Sequence, residues 1–268
     1  MQRARAGRID GMQAALRYQY WRDLLIELIA RDLKVRYQRS FIGIGWSLMK
    51  PLMQLAVFSL VFGLILPLNI EHYTTFVFAG VLIWSWFSAA LGSGTIAISG
   101  NKELVRRPGF PVMLLPMLAV LGQGVHFVLA LPLIIICAMI DVGMPGAPLL
   151  ALPVMILLQL LLTLGLVYFL AASHVYMRDT EHLVALSLSV AFYVTPVFYR
   201  PIQKTHDFSF LNTWNPMAWV LEGYRSILVY GQWPELATMG KILAFGLVTL
   251  AGSLWWFARV SVRFDEEL

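Results

Sequence analysis

Residues 47–50 read Ser-Leu-Met-Lys, the S-x-x-K spacing in which a lysine amine can activate a serine for acyl transfer. The companion motifs K-T-G and S-D-N are absent from the chain, so the tetrapeptide reads as chance. Phosphate chemistry has no better footing. A phosphate loop needs G-x-x-x-x-G-K-[ST], and the nearest stretch, "GTIAISGNKE", has the wrong spacing and sets Asn101 before Lys102. No H-E-x-x-H occurs, and no pair of carboxylates faces a common apolar run. His126 does stand inside such a run, where an ionisable group is a functional candidate by default. No acidic relay partner lies at its depth, so a neutral imidazole bonded to a neighbouring helix is the preferred reading. The single cysteine, Cys137, excludes an internal disulfide and a thiolate metal cluster and reads as a small buried apolar residue. The chain thus carries no catalytic constellation, no nucleotide loop and no metal site of its own, and we expect it to bind no cofactor.

What the polar residues do supply is positive charge against apolar sequence. "RDLKVRYQRSFIGIGWSLMKPL", residues 31–52, passes from Arg31, Lys34, Arg36 and Arg39 to a proline at the mouth of a long apolar run. Upstream, Tyr18, Trp21, Leu24, Leu25, Leu28 and Ile29 share one face at 100° per residue, and Asp23, Glu27, Arg31 and Lys34 share the other. Such a helix lies in the membrane interface, aromatic face to lipid and charged face to water. Charge alone does not separate an anchor from a docking element.

Composition fixes the class. Hydrophobic residues make up 59% of the 268 positions and charged residues 13%, against roughly 25% charged in a soluble domain, and the mean hydropathy is +0.72. A membrane-crossing helix needs about 20 apolar residues. Six such runs can be cut, at about 50–68, 75–98, 112–140, 149–172, 183–199 and 238–258, leaving one transmembrane domain over 1–268 and no second folded domain. The first 30 residues hold five arginines and no uninterrupted apolar stretch, so they do not read as a cleaved signal peptide.

Six spans put both termini on one side. That side then holds sixteen of the twenty Lys and Arg residues, and the other only Arg200, Lys204, Arg225 and Lys241. The positive-inside rule makes the richer side cytoplasmic. The net charge of +5 therefore has a topological cause and does not point to nucleic acid.

Two cytoplasmic loops are short and charged. In "SGNKELVRRPGFPVMLLP", Asn101 is expected to cap a short helix carrying Lys102, Glu103, Arg106 and Arg107, stopped by Pro108, Gly109 and Pro111. "HVYMRDTEHL" packs His174, Arg178, Asp179 and Glu181 into a tight turn. On the far side, 200–237 becomes apolar again after Asn215 and Pro216 yet is too short to cross, which we read as a re-entrant helical hairpin. Glu222 and Arg225, three residues apart, are expected to pair within it. Aromatic residues such as Trp84, Trp86, Phe87 and Trp233 gather near both interfaces, where most form the usual belts. A minority can line a path and stack on sugar rings.

The order of these features resembles the membrane subunits of type-2 ABC exporters, specifically the O-antigen, capsule and teichoic-acid permeases. The resemblance covers essentially the whole chain and rests on "RDLKVRYQRSFIGIGWSLMKPL", "VFAGVLIWSWF", "NKELVRRPGFP", "VYMRDTEHL", "YVTPVFYRP" and "NPMAWVLEGYRSIL" in that order. It implies an all-α polytopic protein with an interfacial helix over 18–39, in the bacterial inner membrane. It implies a homodimer with two separate ATPase subunits that bind the ATP and magnesium, exporting an undecaprenyl-linked polysaccharide, with O-antigen preferred. Arg31, Asp32, Lys102, Glu103, Arg106, Arg107, Arg178, Asp179 and Glu181 are then the expected ATPase-coupling residues. Lys34, Arg36, Tyr37, Arg39, Phe41, Trp46 and Lys50 are expected to receive the lipid pyrophosphate, since phosphate favours Arg and Lys. Tyr193, Phe198, Tyr199, Trp214, Trp219, Glu222 and Arg225 are expected at the channel or the re-entrant region. The runner-up is a small-molecule or drug exporter of the same plan. A lipid-acting intramembrane enzyme and a pure scaffold explain less of the sequence.

Overall fold

The computed structural model describes residues 20–31, 34, 43–61, 70–144, 146–200 and 213–267, and every regular element among them is helical. Residues 1–43 and 44–268 form two units. In the first, residues 20–31 are helical (α1). Trp21, Leu24, Leu25, Leu28 and Ile29 are its shielded side chains, and Asp23, Glu27 and Arg31 are exposed, as the 100° periodicity predicts. Arg22 bonds its neighbour Asp23 at 2.8 Å, an exposed contact of little energetic weight. Tyr18, Asp32, Arg36, Tyr37, Arg39 and Phe41 lie outside the described residues.

The second unit is a helical bundle of α2 (Trp46–Leu60), α3 (Tyr73–Thr95), the short α4 (Lys102–Val105), α5 (Leu114–Asp141), α6 (Leu152–Tyr176), α7 (Thr180–Val194), α8 (Pro216–Leu228), α9 (Leu236–Val260) and α10 (Phe264–Glu267). Four of these segments, Tyr73–Thr95, Leu114–Asp141, Ala147–Tyr176 and Leu236–Arg263, are long and apolar enough to cross a membrane. They coincide within a few residues with the second, third, fourth and sixth predicted spans. Of the first predicted span, the described helix runs from Trp46 to Leu60, and residues 62–69 lie outside the described residues.

The fifth predicted span is shorter than 183–199. α7 ends at Val194, and Thr195 is extended with ψ 136°. Pro196 is the cause: a proline pushes the residue before it out of the helical region and supplies no N–H to continue the ladder. α7 is therefore about 22 Å long.

α3 is the central element, with 78% of its apolar window buried against 22% for α5 and α9. The outer helices keep apolar side chains such as Ile140, Leu157 and Val248 exposed, as lipid-facing surfaces require. Because lipid tails are as apolar as leucine, close backbone approach holds such helices together. α6 and α9 show it: a Cβ at Gly165 would fall 2.6 Å from Thr249 Oγ1 and 2.8 Å from the Leu250 nitrogen.

Each end of the bundle has its own polar fastening. At one end, Asp141 of α5 accepts from the Thr75 backbone N–H at 3.2 Å and from Thr75 Oγ1 at 2.7 Å. It thereby caps α3 in place of His72, whose left-handed backbone (φ 52°) makes no side-chain cap. At the other end, Tyr168 donates to the Met113 carbonyl and Tyr176 to the Val260 carbonyl. An apolar cluster there joins Ile98, Val105, Ala172, Val175, Phe257 and Phe264.

Candidate functional site

The bundle opens into a groove where α2, α3 and α7 meet. Its volume is about 520 Å³, and its lining includes Gln54 and Phe58 of α2, Trp84, Ser85 and Ser88 of α3, and Ser189, Phe192 and Tyr193 of α7. Periodicity builds this wall. Gln54 and Phe58 are four residues apart on α2, Ser85 and Ser88 three apart on α3, and Ser189 and Tyr193 four apart on α7, the spacings that share one helix face. A second recess of about 410 Å³ adjoins it through Trp84 and continues past Phe87, Val194 and Thr195 to Trp214 and Asn215.

The rings form one connected set. Phe58 stacks on Phe198 with 5.3 Å between centroids and 7° between planes. Phe192 meets Phe58 at 6.0 Å and Trp84 edge-on at 5.9 Å. Tyr193 packs against Phe192 at 5.4 Å, and Tyr199 against Phe198 at 5.3 Å. The result is a broad apolar surface dotted with hydroxyls. It can hold a ring-shaped ligand by many weak contacts, each of about 1 kcal/mol or less.

Of the expected channel residues, Tyr193 lines the groove and Trp214 the second recess, while Phe198 and Tyr199 join them only through ring contacts, Phe198 against Phe58 and Tyr199 against Phe198. Trp219 lies elsewhere, edge-on to Phe245 of α9 at 6.2 Å and donating to the Thr213 carbonyl at 3.0 Å. Sequence reasoning missed Gln54, Phe58, Ser85, Ser88, Ser189 and Phe192. The available signal was a polar residue within three separate apolar runs, each unremarkable alone.

Asn215 caps α8, accepting from the Met217 and Ala218 amides at 3.0 and 3.4 Å, and its own amide donates to Thr195 Oγ1 at 2.9 Å. Pro216 follows at the first helical position, where its missing N–H costs nothing. α8 buries one broad face, and at 13 residues it is too short to cross. The rest of the expected hairpin, 201–212, lies outside the described residues.

Arg225 is buried in α8, but not against Glu222 as expected. Its Nη1 donates to the Pro196 carbonyl at 2.7 Å and its Nη2 to the Val197 carbonyl at 2.6 Å, and its guanidinium lies over the Phe76 ring at 3.5 Å. Glu222 is exposed. The reason is the Pro196 bend, which frees carbonyls that a buried cation can satisfy without a carboxylate. Gly80 of α3 makes room for this contact, because a Cβ there would overlap the Val197 carbonyl oxygen.

At the opposite end of the bundle, seven of the nine expected coupling residues, all but Arg31 and Asp32, divide between two charged elements. Glu103, Arg106 and Arg107 are exposed on and just after α4, where Lys102 is half-buried, and Arg178, Asp179 and Glu181 are exposed around the turn into α7. Asn101 does not cap α4. A 3-10 turn runs directly into that helix, and the Asn101 amide instead donates back to the Ala97 carbonyl at 2.9 Å. Arg31 and Lys34 of the N-terminal unit are exposed. Trp46 is exposed at the start of α2, and Lys50 lies within that helix.

Known proteins give this arrangement a context. The family described as "ABC-2 type transporter" matches residues 23–229. A Myxococcus xanthus protein named "O-antigen export system permease protein RfbA" is 36% identical over 253 residues, covering 94% of this chain and 97% of that protein. Two Klebsiella pneumoniae proteins of the same name are 27% and 29% identical, each over 93% of this chain and 96% of their own length.

Proposed function

Because the chain belongs to the ABC-2 type transporter family, we propose that it is the membrane subunit of an ATP-driven exporter that moves a lipid-linked polysaccharide, O-antigen in character, out of the cytoplasm. Two copies of the chain work with two ATPase subunits, which bind the nucleotide and magnesium. Each copy spans the inner membrane six times with both termini cytoplasmic, α7 being the fifth span and α8 the returning limb of a re-entrant hairpin.

The observation that carries this reading is the groove between α2, α3 and α7. An exporter of long polymers needs a surface on which a sugar chain slides, and slow exchange of a few tight hydrogen bonds would stall it. Rings such as Phe58, Phe192 and Tyr193 offer apolar surface to the C–H sides of sugars, and Ser85, Ser88 and Ser189 offer hydroxyls to their rims. Beside the groove, Met53, Val57, Leu186 and Val190 are exposed, an apolar border that a second copy would cover to enclose the path. The full-length similarity to proteins named as O-antigen export permeases supports the substrate class.

The two exposed charged elements supply the drive. Closure of the ATPase subunits pushes on α4 with Arg106 and Arg107 and on the Arg178–Glu181 turn. These elements sit at the ends of α3, α6 and α7, so the push reaches helices that line the groove. Arg36, Arg39 and Lys50, with Arg31 and Lys34, receive the lipid pyrophosphate on the cytoplasmic side.

Deletion of the gene with complementation tests the function. We expect polysaccharide to accumulate on its lipid in the inner leaflet and to vanish from the surface, with recovery on return of the gene. Unchanged surface polymer on deletion would overturn the assignment.

A further inference from the structure

His174 stands at the last turn of α6 and is 5% exposed. Its Nδ1 is 3.2 Å from Ser99 Oγ, and its Nε2 is 3.9 Å from Glu181 Oε2. Ser99 opens the turn that becomes α4, and Glu181 lies in the first turn of α7. One imidazole therefore reaches both charged cytoplasmic elements. Ser99 Oγ is also 3.2 Å from the Ile96 carbonyl, so its one proton serves either that carbonyl or Nδ1; with the proton towards Nδ1, the imidazole carries its own proton on Nε2, the nitrogen that faces the Glu181 carboxylate. Beneath it, Ile98, Val105 and Val175 pack in one apolar cluster, so α4 is seated on the end of α6 by the same contacts that flank His174.

We propose that His174 is a positioning residue that fastens the α4 element to the 177–181 turn, so that a push on either moves both. The inference rests on the transporter reading above and adds to it a residue that touches neither the ATPase nor the substrate. Without the fastening, α4 and the turn respond separately, and part of each ATPase stroke is lost as relative motion of the two elements. The loss falls on coupling, the polymer moved per ATP hydrolysed, and spares hydrolysis itself.

The test uses the whole complex in inverted membrane vesicles, with ATP hydrolysis and polymer translocation measured together. Wild-type vesicles come first: no ATP-driven translocation there defeats the transporter reading, and this inference with it. Given wild-type transport, His174→Ala and Ser99→Ala are expected to lower polymer moved per ATP by about 5-fold or more while hydrolysis stays near wild type. His174→Asn, which keeps a polar group towards Ser99, is expected to recover much of the ratio. A wild-type ratio in both alanine variants overturns the inference, and so does a parallel loss of hydrolysis and transport at constant ratio. If His174→Ala does not assemble, Ser99→Ala decides alone, since it removes one hydroxyl from a half-buried surface position.

Discussion

The guanidinium of Arg225 lies 3.5 Å from the centroid of the Phe76 ring, while its two terminal nitrogens donate to successive carbonyls of the Pro196 bend. One side chain thus binds α8 to α3 and to the end of α7. A desolvated cation–π contact contributes about 2 kcal/mol, and stranding a buried carbonyl costs about 1–3 kcal/mol.

Arg225→Met is accordingly expected to destabilise the detergent-purified protein by about 3 kcal/mol or more, read as a lower unfolding midpoint. Arg225→Lys should recover little, because an ammonium cannot both span two carbonyls and lie flat on a ring. Glu222→Gln should be silent, since Glu222 is exposed and the two terminal nitrogens of Arg225 are held by the Pro196 and Val197 carbonyls. A large loss in Glu222→Gln would revive the expected ion pair.

Close packing of α6 on α9 gives a second prediction. Gly165→Ala should lower stability measurably, because the added methyl meets Thr249 and the Leu250 backbone. Gly92→Ala, with nothing within 4 Å of its Cβ, should be neutral or stabilising by up to about 1 kcal/mol. The comparison is made by thermal unfolding in one detergent, and equal midpoints would contradict the packing argument.

The groove predicts a block. In a background with Cys137 replaced by alanine, Ser189→Cys labelled with a bulky thiol reagent should arrest export. The same label at Val248→Cys, on the exposed face of α9, should not. Surface polysaccharide after labelling is the readout, and arrest at both positions or at neither would remove the groove from the path.

Charge reversal on the two exposed charged elements tests the coupling role proposed for them. Glu103→Arg with Arg107→Glu should lower export about 5-fold or more while the ATPase still hydrolyses nucleotide. Arg36→Gln with Arg39→Gln should lower export without loss of the assembled complex. Normal export in either variant would count against the corresponding role.

Hydropathy made much of this fold legible, because four apolar runs of sufficient length have few alternatives in a bilayer. The amphipathic pattern of α1 and the Asn215-Pro216 start of α8 were equally readable, each being a local rule. The groove was not. Gln54, Ser85 and Ser189 come from three separate elements, and no one-dimensional pattern states that their faces meet. Arg225 was assigned the nearest carboxylate because sequence displays side-chain charges and hides the backbone carbonyls that a proline bend releases. Asn101 was assigned a cap because residue type suggests one, whereas the preceding 3-10 turn had already determined the approach to α4.

The most direct test of the central claim is ATP-dependent translocation of lipid-linked polysaccharide in inverted membrane vesicles that contain this chain and its ATPase partner. Added ATP is expected to move polymer into the lumen, where an externally added glycosidase no longer digests it, and vesicles lacking the chain are expected to give no protection. Equal protection with and without the chain would contradict the account.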